Sequence, residues 1–285
     1  MECFIMFFSK TKKLIKMLLP PWIIFLFQKL RQKTWEYSGD YSSWQDAAKN
    51  TLGYNTAEIF EKVFYATQQV LDGKAVFERD SVLFYQEEYN IPLLKALFQI
   101  ARKKGRLHVL DFGGALGSVF FQNSGLLKSA VEDIEWIIVE QPAFFEASKK
   151  LVFEKELRFC KTVEEAKIST EIDVVLFSSV LQYLENIAEI TDQVQDIDYI
   201  IIDRHPEFTV KKSPQITVQN IREPIYNASY PVKIYGCGEL EKYFIAKYTL
   251  LDKWYSGCSS RQFLKSNDGT QHESQYVGML FKRNI

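Results

Sequence analysis

The chain is poor in the residues that mark several common functions. Its 285 residues hold only four cysteines, Cys3, Cys160, Cys237 and Cys258, far apart, with no C-x-x-C and no neighbouring His pair. That excludes a zinc-binding pattern and a disulfide framework, and it fits a reducing compartment. We therefore expect no metal, and we read the sequon Asn227-Ala228-Ser229 as a chance match in a cytoplasmic protein. Long apolar runs are also missing. The longest clean run after Pro20-Pro21 is Trp22 to Phe27, far short of the roughly 20 residues that span a bilayer. A small-residue cleavage site of the signal-peptide type is absent as well. There is no excess of positive charge, since the formal net charge is -1, so nothing in bulk points to nucleic acid. Repeats and low-complexity linkers are absent.

What is present is an apolar, aromatic-rich chain with an uneven charge distribution. Hydrophobic residues make up 47%, including 22 Phe and 15 Tyr, enough to build a sizeable core. The length suits one large domain, or one domain with an appendage. Residues 1–33 carry seven Lys/Arg and one Glu, a net of +6, which leaves -7 for the rest. Lys10, Lys12, Lys13, Lys16, Lys29 and Arg31 interleave with Trp22 and several Phe. That mix suits a segment lying in a membrane interface at the inner face of the cytoplasmic membrane. A helix docked on its own domain or on a partner subunit is the alternative.

Residues 34–106 read as a helical cap. Trp35 to Trp44 is an aromatic stretch with turn residues, expected as a loop. A helix is predicted from Thr56 to Asp72, with Asn55 and Glu58 at capping-box spacing and Gly73 at its end. A charged cluster, Phe77-Glu78-Arg79-Asp80, precedes a second helix from Ile91 to Lys104, with Pro92 in its first turn and Gly105 as its stop.

From residue 107 to the end, strands alternate with helices. Strands are predicted at 108–111, 135–139, 157–160, 173–178 and 199–203. Helices are predicted near 118–130, 142–154, 163–168 and 184–195. This predicts an α/β fold with a doubly wound, mostly parallel sheet. Two β-type segments near 247–253 and 276–281 predict a C-terminal antiparallel hairpin, preceded by a helix near Glu239 to Phe244.

The stretch His108 to Ser118 carries the chemistry. A strand ends in Asp111, then Gly113, Gly114 and Gly117 follow, and a helix starts near Ser118. Glycines let a ligand approach main-chain N–H groups closely. An acid before the glycines would repel a pyrophosphate, which prefers bare N–H groups and a helix dipole. It favours a cationic nucleoside, S-adenosylmethionine, over a dinucleotide. The second strand ends in Glu140, 29 positions later, where a carboxylate can accept two hydrogen bonds from ribose hydroxyls. Gln141 follows it. Cys160 ends the third strand and could line an adenine slot, or pack in the core. Ser178, Ser179, Gln182 and Tyr183 follow the fourth strand at the same edge. The fifth ends Asp203-Arg204-His205. For proton transfer to a hydroxyl acceptor the candidates are His205, Asp203 and Tyr183. Arg79, Asp80, Gln182 and Arg204 are candidates for binding the acceptor, with the Arg79/Asp80 cluster and the Trp35–Trp44 stretch folding over the site. Two other readings stay open: a non-catalytic scaffold protein of a glycan-assembly complex, and a nicotinamide-dependent sugar oxidoreductase. The absence of a Tyr-x-x-x-Lys pair argues against the second.

From Trp35 onward the chain resembles a family of methyltransferases found with bacterial O-antigen, capsule and lipopolysaccharide genes. The matching pieces are Tyr41-Ser42-Ser43-Trp44, Gly53-Tyr54, Phe77-Glu78-Arg79-Asp80, Leu110-Asp111-Phe112-Gly113-Gly114, Leu116-Gly117-Ser118, Val139-Glu140-Gln141, Ser179-Val180-Leu181-Gln182-Tyr183-Leu184, Asp203-Arg204 and Tyr226-Asn227-Ala228-Ser229-Tyr230-Pro231. The resemblance implies the class I, Rossmann-like fold, S-adenosylmethionine as cofactor, and a small-molecule or lipid-linked glycan as acceptor. Two departures stand out. Ala115 replaces a third loop glycine, and His205 stands where the family commonly has a small hydroxyl residue.

Overall fold

The computed structural model describes residues 35–51, 56–223, 225–256 and 262–284. The chain divides into two units, Met1–Thr34 and Trp35–Ile285. The basic, apolar segment 1–33 lies outside the described residues, as do the predicted cap Asn55 and the side chain of Glu58.

In chain order the elements are β1 (Trp35–Tyr41), α1 (Trp44–Lys49), α2 (Thr56–Leu71), β2 (Phe77–Arg79), β3 (Val82–Phe84), α3 (Ile91–Lys104), β4 (Leu107–Phe112), α4 (Ser118–Ala130), β5 (Ile134–Val139), α5 (Pro142–Ser148), β6 (Leu157–Cys160), α6 (Val163–Ser169), β7 (Val174–Ser178), α7 (Ala188–Gln193), β8 (Tyr199–Phe208), β9 (Gln215–Ile221), β10 (Ala228–Ile234), β11 (Tyr248–Tyr255), β12 (Gln262–Lys265) and β13 (Gln271–Arg283). Short 3-10 turns lie at Leu181–Tyr183 and Leu240–Tyr243.

The main sheet runs β11-β13-β8-β7-β4-β5-β6, with β12 paired to β13. Strands β4 to β8 are mutually parallel. β13 enters antiparallel between β8 and β11. This is a doubly wound, Rossmann-like sheet whose strand order reverses between β4 and β7. A crevice outside the strand C-termini forms at such a reversal.

Alternation along each strand feeds two cores. Val109, Trp136, Ile138, Leu176 and Ile201 pack under α3 and α4 with Leu93, Leu97, Ile100 and Phe120. Leu110, Ile137, Val175, Ile200 and Ile202 face the other way, against Val163, Ala166, Ile187 and Ile190. Strands buried on both faces read as continuous apolar runs, as these do. Each large apolar side chain buried this way contributes about 1.5–3 kcal/mol. Local signals set the ends of α3. The Asn90 side chain accepts from Leu93 N–H at 3.4 Å, Pro92 sits in the first turn, and Gly105 closes the helix at φ 74°.

Several segments differ from their sequence expectation. Trp35–Tyr41 is a strand, not a loop, because it finds a distant partner: β1 pairs antiparallel with β9, which also pairs with β10. Aromatic side chains suit a half-buried pleated surface once such a partner exists. β8 runs on to Phe208, since its last residues pair with β13. The helix expected over 142–154 stops at Ser148, and that expected over 184–195 is reduced to the short α7 at Ala188–Gln193, preceded by the 3-10 turn at Leu181–Tyr183. The helix expected near Glu239 to Phe244 is a 3-10 turn, Leu240–Tyr243. The two C-terminal segments pair as expected, with β12 added. Among the described residues no helix is long and apolar enough to cross a membrane.

Candidate active site

The loop after β4 folds back over its own acid. Gly113 (φ 73°), Ala115 (φ 50°) and Gly117 (φ 102°) take left-handed backbone, which glycine adopts freely and Ala115 does not. A Cβ on Gly114 would lie 2.6 Å from the Asp111 carboxylate, so only glycine fits there. Asp111 is fully buried. Trp136 Nε1–H donates to its Oδ2 at 3.0 Å, while Oδ1 has no partner among the described residues. Burial pushes its pKa from 3.8 up to about 7; the Trp136 hydrogen bond and Arg204 pull it down, and Glu140 adds to the rise. Glu140, at the end of the neighbouring strand, accepts from Ala115 N–H at 3.3 Å and Gln141 N–H at 2.6 Å. Burial raises its pKa too, against those two bonds.

Across the reversal, β7 ends in Ser178, and Ser179 has φ 56°. Its N–H donates to Asp203 C=O at 2.8 Å, tying the end of β7 to the middle of β8. Arg204 also has positive φ, 51°, and the β8–β13 register shifts opposite it. This bulge re-aims the side chains around it. Arg204 Nη2 donates to Ser178 Oγ at 3.0 Å, and its charge acts on Asp111 and on Glu78. Asp203 is buried. It accepts from Asn90 Nδ2 at 3.0 Å on both oxygens and from Ser256 Oγ at 2.9 Å. His205 packs instead against Tyr235, ring centroids 5.7 Å apart. Neither ring nitrogen has a partner among the described residues. Burial and then Lys253 depress its pKa to about 3, so the ring is neutral.

The other candidates divide into three places. Gln182 is buried and donates from Nε2 to Ser179 Oγ at 3.0 Å, with Oε1 unpartnered among the described residues. Tyr183 Oη donates to Gln219 at 2.9 Å, and its ring meets Tyr230 edge-on at 5.0 Å. Burial, reinforced by the Asp80 charge, raises its pKa to about 12. Arg79 lies over Phe77 and Phe84, 5.5 and 5.2 Å from the ring centroids. Asp80 is exposed in the β2–β3 turn at φ 50°. Cys160 is buried in the core beside Val163 and Ala166, and burial raises its thiol pKa. Among the described residues there is no group of three His, Cys, Asp or Glu placed to hold a metal.

The structure thus brings Asp111, Gly113, Gly114, Gly117, Glu140, Gln141, Ser178, Ser179 and Arg204 to one edge, and turns His205 away from it. The supporting residues that the sequence did not single out are Asn90, Trp136, Ser256 and Glu78. Glu78 stood inside the Phe77–Asp80 cluster. It is buried, accepts from Ser118 Oγ at the start of α4, and accepts from Ser81 N–H at 3.0 Å.

No family model matches the chain, and no curated protein matches it at a significant level. Solved structures are similar at the level of the chain path. CalS10, an amino pentose methyltransferase from Micromonospora echinaspora solved with SAM, is 10% identical over 69% of this chain and 92% of its own, at a TM-score of 0.42. The N-terminal domain of EvdMO1, solved in the presence of SAH and D-fucose, is 12% identical over 81% and 97%, at 0.43. A point mutant of MtNAS, solved in complex with S-adenosylmethionine, is 15% identical over 80% and 72%, at 0.41.

Proposed function

We propose that this chain is an S-adenosylmethionine-dependent methyltransferase acting on a hydroxyl of a glycan or glycolipid precursor of a bacterial surface polysaccharide. The observation that carries this reading is the buried Asp111 carboxylate, with one oxygen unpartnered among the described residues, directly beneath Gly114 at the sheet reversal. A phosphate would be repelled there, whereas a nucleoside carrying a sulfonium and an ammonium is attracted. The residues fit that cofactor. Gly113, Gly114 and Gly117 allow close approach, Glu140 and Gln141 stand where a ribose would be held, and Asp111 offers an acceptor to a cation. Ser178 and Ser179 border the same crevice, and Cys160 supports it from the core. When bound, the cofactor supplies an electrophilic methyl group.

The protein's own contribution is then alignment and exclusion of water, which are large effects for an in-line displacement. Asp203, with both oxygens taken, acts by fixing Asn90, Ser256 and the β8 bulge that aims Arg204. Tyr183 is a hydrogen-bonding wall rather than a base, given its raised pKa. Arg204, Gln182 and the hairpin residues Arg79 and Asp80 form the acceptor side. His205 has no part in the reaction. Residues 1–33 would hold the enzyme near lipid-linked acceptors. The test is mass spectrometry of surface glycan from cells with and without the gene. Loss of one CH2 unit per acceptor residue is expected; an unchanged glycan would remove the carbohydrate assignment.

A further inference from the structure

Glu78 is the buried charge that the sheet itself does not account for. It sits on a three-residue strand outside the main sheet, yet its carboxylate reaches Ser118, the first residue of α4 and the residue immediately after the glycine loop. The tight turn at Asp80 and Ser81 (φ 50° and 64°) holds it there, through the Ser81 N–H bond to Glu78 Oε2. Phe77 and Glu78 are both buried on β2, while Arg79 lies partly exposed over the hairpin's own rings.

The charge balance at this place is incomplete. Glu78 and Asp111 are both buried and both feel the Arg204 guanidinium, while Asp80 adds further negative charge to Glu78. Burial raises the pKa of both Glu78 and Asp111 to about 7. Once they ionise, they share one guanidinium that also lies 3.6 Å from the buried Asp203 carboxylate, which leaves a net negative site, and a buried charge without compensation is strongly unfavourable. The N-terminus of α4 favours one anion, but it leaves Asp111 Oδ1 without a partner among the described residues. A ligand group that is positive and carries several N–H donors completes both acceptors at once. A sulfonium has no N–H; a primary ammonium has three. A carboxylate keeps about four lone-pair sites, so Glu78 can retain Ser118 and Ser81 while accepting from a ligand.

We infer that Glu78, together with Asp111, receives the α-ammonium of the cofactor's amino acid end, with Arg204 beside them for its α-carboxylate, so that the β2–β3 hairpin is part of the cofactor site. This rests on the methyl-donor reading above. It makes Glu78 a positioning residue that selects zwitterionic nucleosides over those lacking the amino acid.

The test compares S-adenosylhomocysteine with 5′-methylthioadenosine, which keeps the adenosine and sulfur but lacks the amino acid end. Calorimetric titration of the full chain is expected to show the former binding about ten- to a hundred-fold more tightly, the range of a hydrogen bond to a charged group. In Glu78→Gln that ratio should fall by about ten-fold, with methylthioadenosine affinity held within about two-fold. In Glu78→Asp, with the carboxylate drawn back by one CH2, the ratio should fall part of the way, and this variant serves if Glu78→Gln is not obtained folded. Equal weakening of both ligands, or no change in either, would overturn the role of Glu78. Failure of the wild-type protein to bind either nucleoside would overturn the methyl-donor reading itself, a separate result.

Discussion

Replacing Asp111 by Asn separates what the buried carboxylate does to the empty protein from what it does for a ligand. Its pKa is raised from 3.8 to about 7 in the folded chain, so the folded state holds a proton that the unfolded state has lost. Its stability contribution is complete below about pH 4 and disappears as pH rises through about 7. About three pH units correspond to roughly 4 kcal/mol of strain from the ionised form at about pH 8, at 1.36 kcal/mol per unit. In Asp111→Asn the amide oxygen keeps the Trp136 bond, and the NH2 takes the unpartnered position, which returns about 1–3 kcal/mol. A net gain of about 1–3 kcal/mol is expected at about pH 8, turning into a net loss of about 1–3 kcal/mol below about pH 4, so that the difference between the two conditions is roughly 4 kcal/mol. Urea unfolding at the two pH values reads it directly. The same variant should bind S-adenosylhomocysteine at least about ten-fold more weakly, the exchange of stability for function common at binding sites. An Asn variant less stable than wild type at about pH 8, or with an unchanged stability difference between the two pH values, would refute the reasoning.

Further outcomes follow from the same geometry. His205→Leu should fold and methylate within about three-fold of wild type, since the ring is neutral and lacks partners; a loss of about a hundred-fold or more would restore it as a base. Asp173→Ala should destabilise by about 3–5 kcal/mol in chemical denaturation. It removes the buried acceptor of Arg106 (Nε at 3.2 Å) and His108 N–H (3.0 Å) at the far end of the sheet. Nucleoside affinity of the folded protein should be unaffected. Gly114→Val should abolish nucleoside binding, because a Cβ there already meets Asp111 at 2.6 Å; measurable affinity in that variant would show that the loop is not the binding element. Co-sedimentation with anionic vesicles should depend on residues 1–33 and fade at high salt; equal sedimentation of a chain lacking them would place any membrane contact elsewhere.

The parts of this fold legible in the sequence are those with local causes. Helix α3 announced itself through Pro92 and Gly105, and the loop after β4 through its glycines. The parallel strands showed as apolar runs spaced by helices. The small sheet β1-β9-β10 was not legible, because its strands are joined by pairings such as Trp35 with Ile221 that no local window contains. At the site, Asp111 and Glu140 were visible as acids ending consecutive strands. Glu78 was visible only as one member of a charged cluster, and its partners, Ser81 N–H in the tight turn and Ser118 at the start of α4, come together only in the folded chain. His205 was misplaced by one residue's geometry: the positive φ at Arg204 makes a bulge, and a bulge shifts which side chains reach the edge.

The central claim is that the crevice at the β4–β7 reversal takes an S-adenosyl nucleoside rather than a dinucleotide. Titrating the full chain with S-adenosylhomocysteine and, separately, with NAD tests it most directly. Saturable one-to-one binding of S-adenosylhomocysteine, lost in Gly114→Val, is expected, with no binding of NAD. Binding of NAD with none of S-adenosylhomocysteine would contradict it.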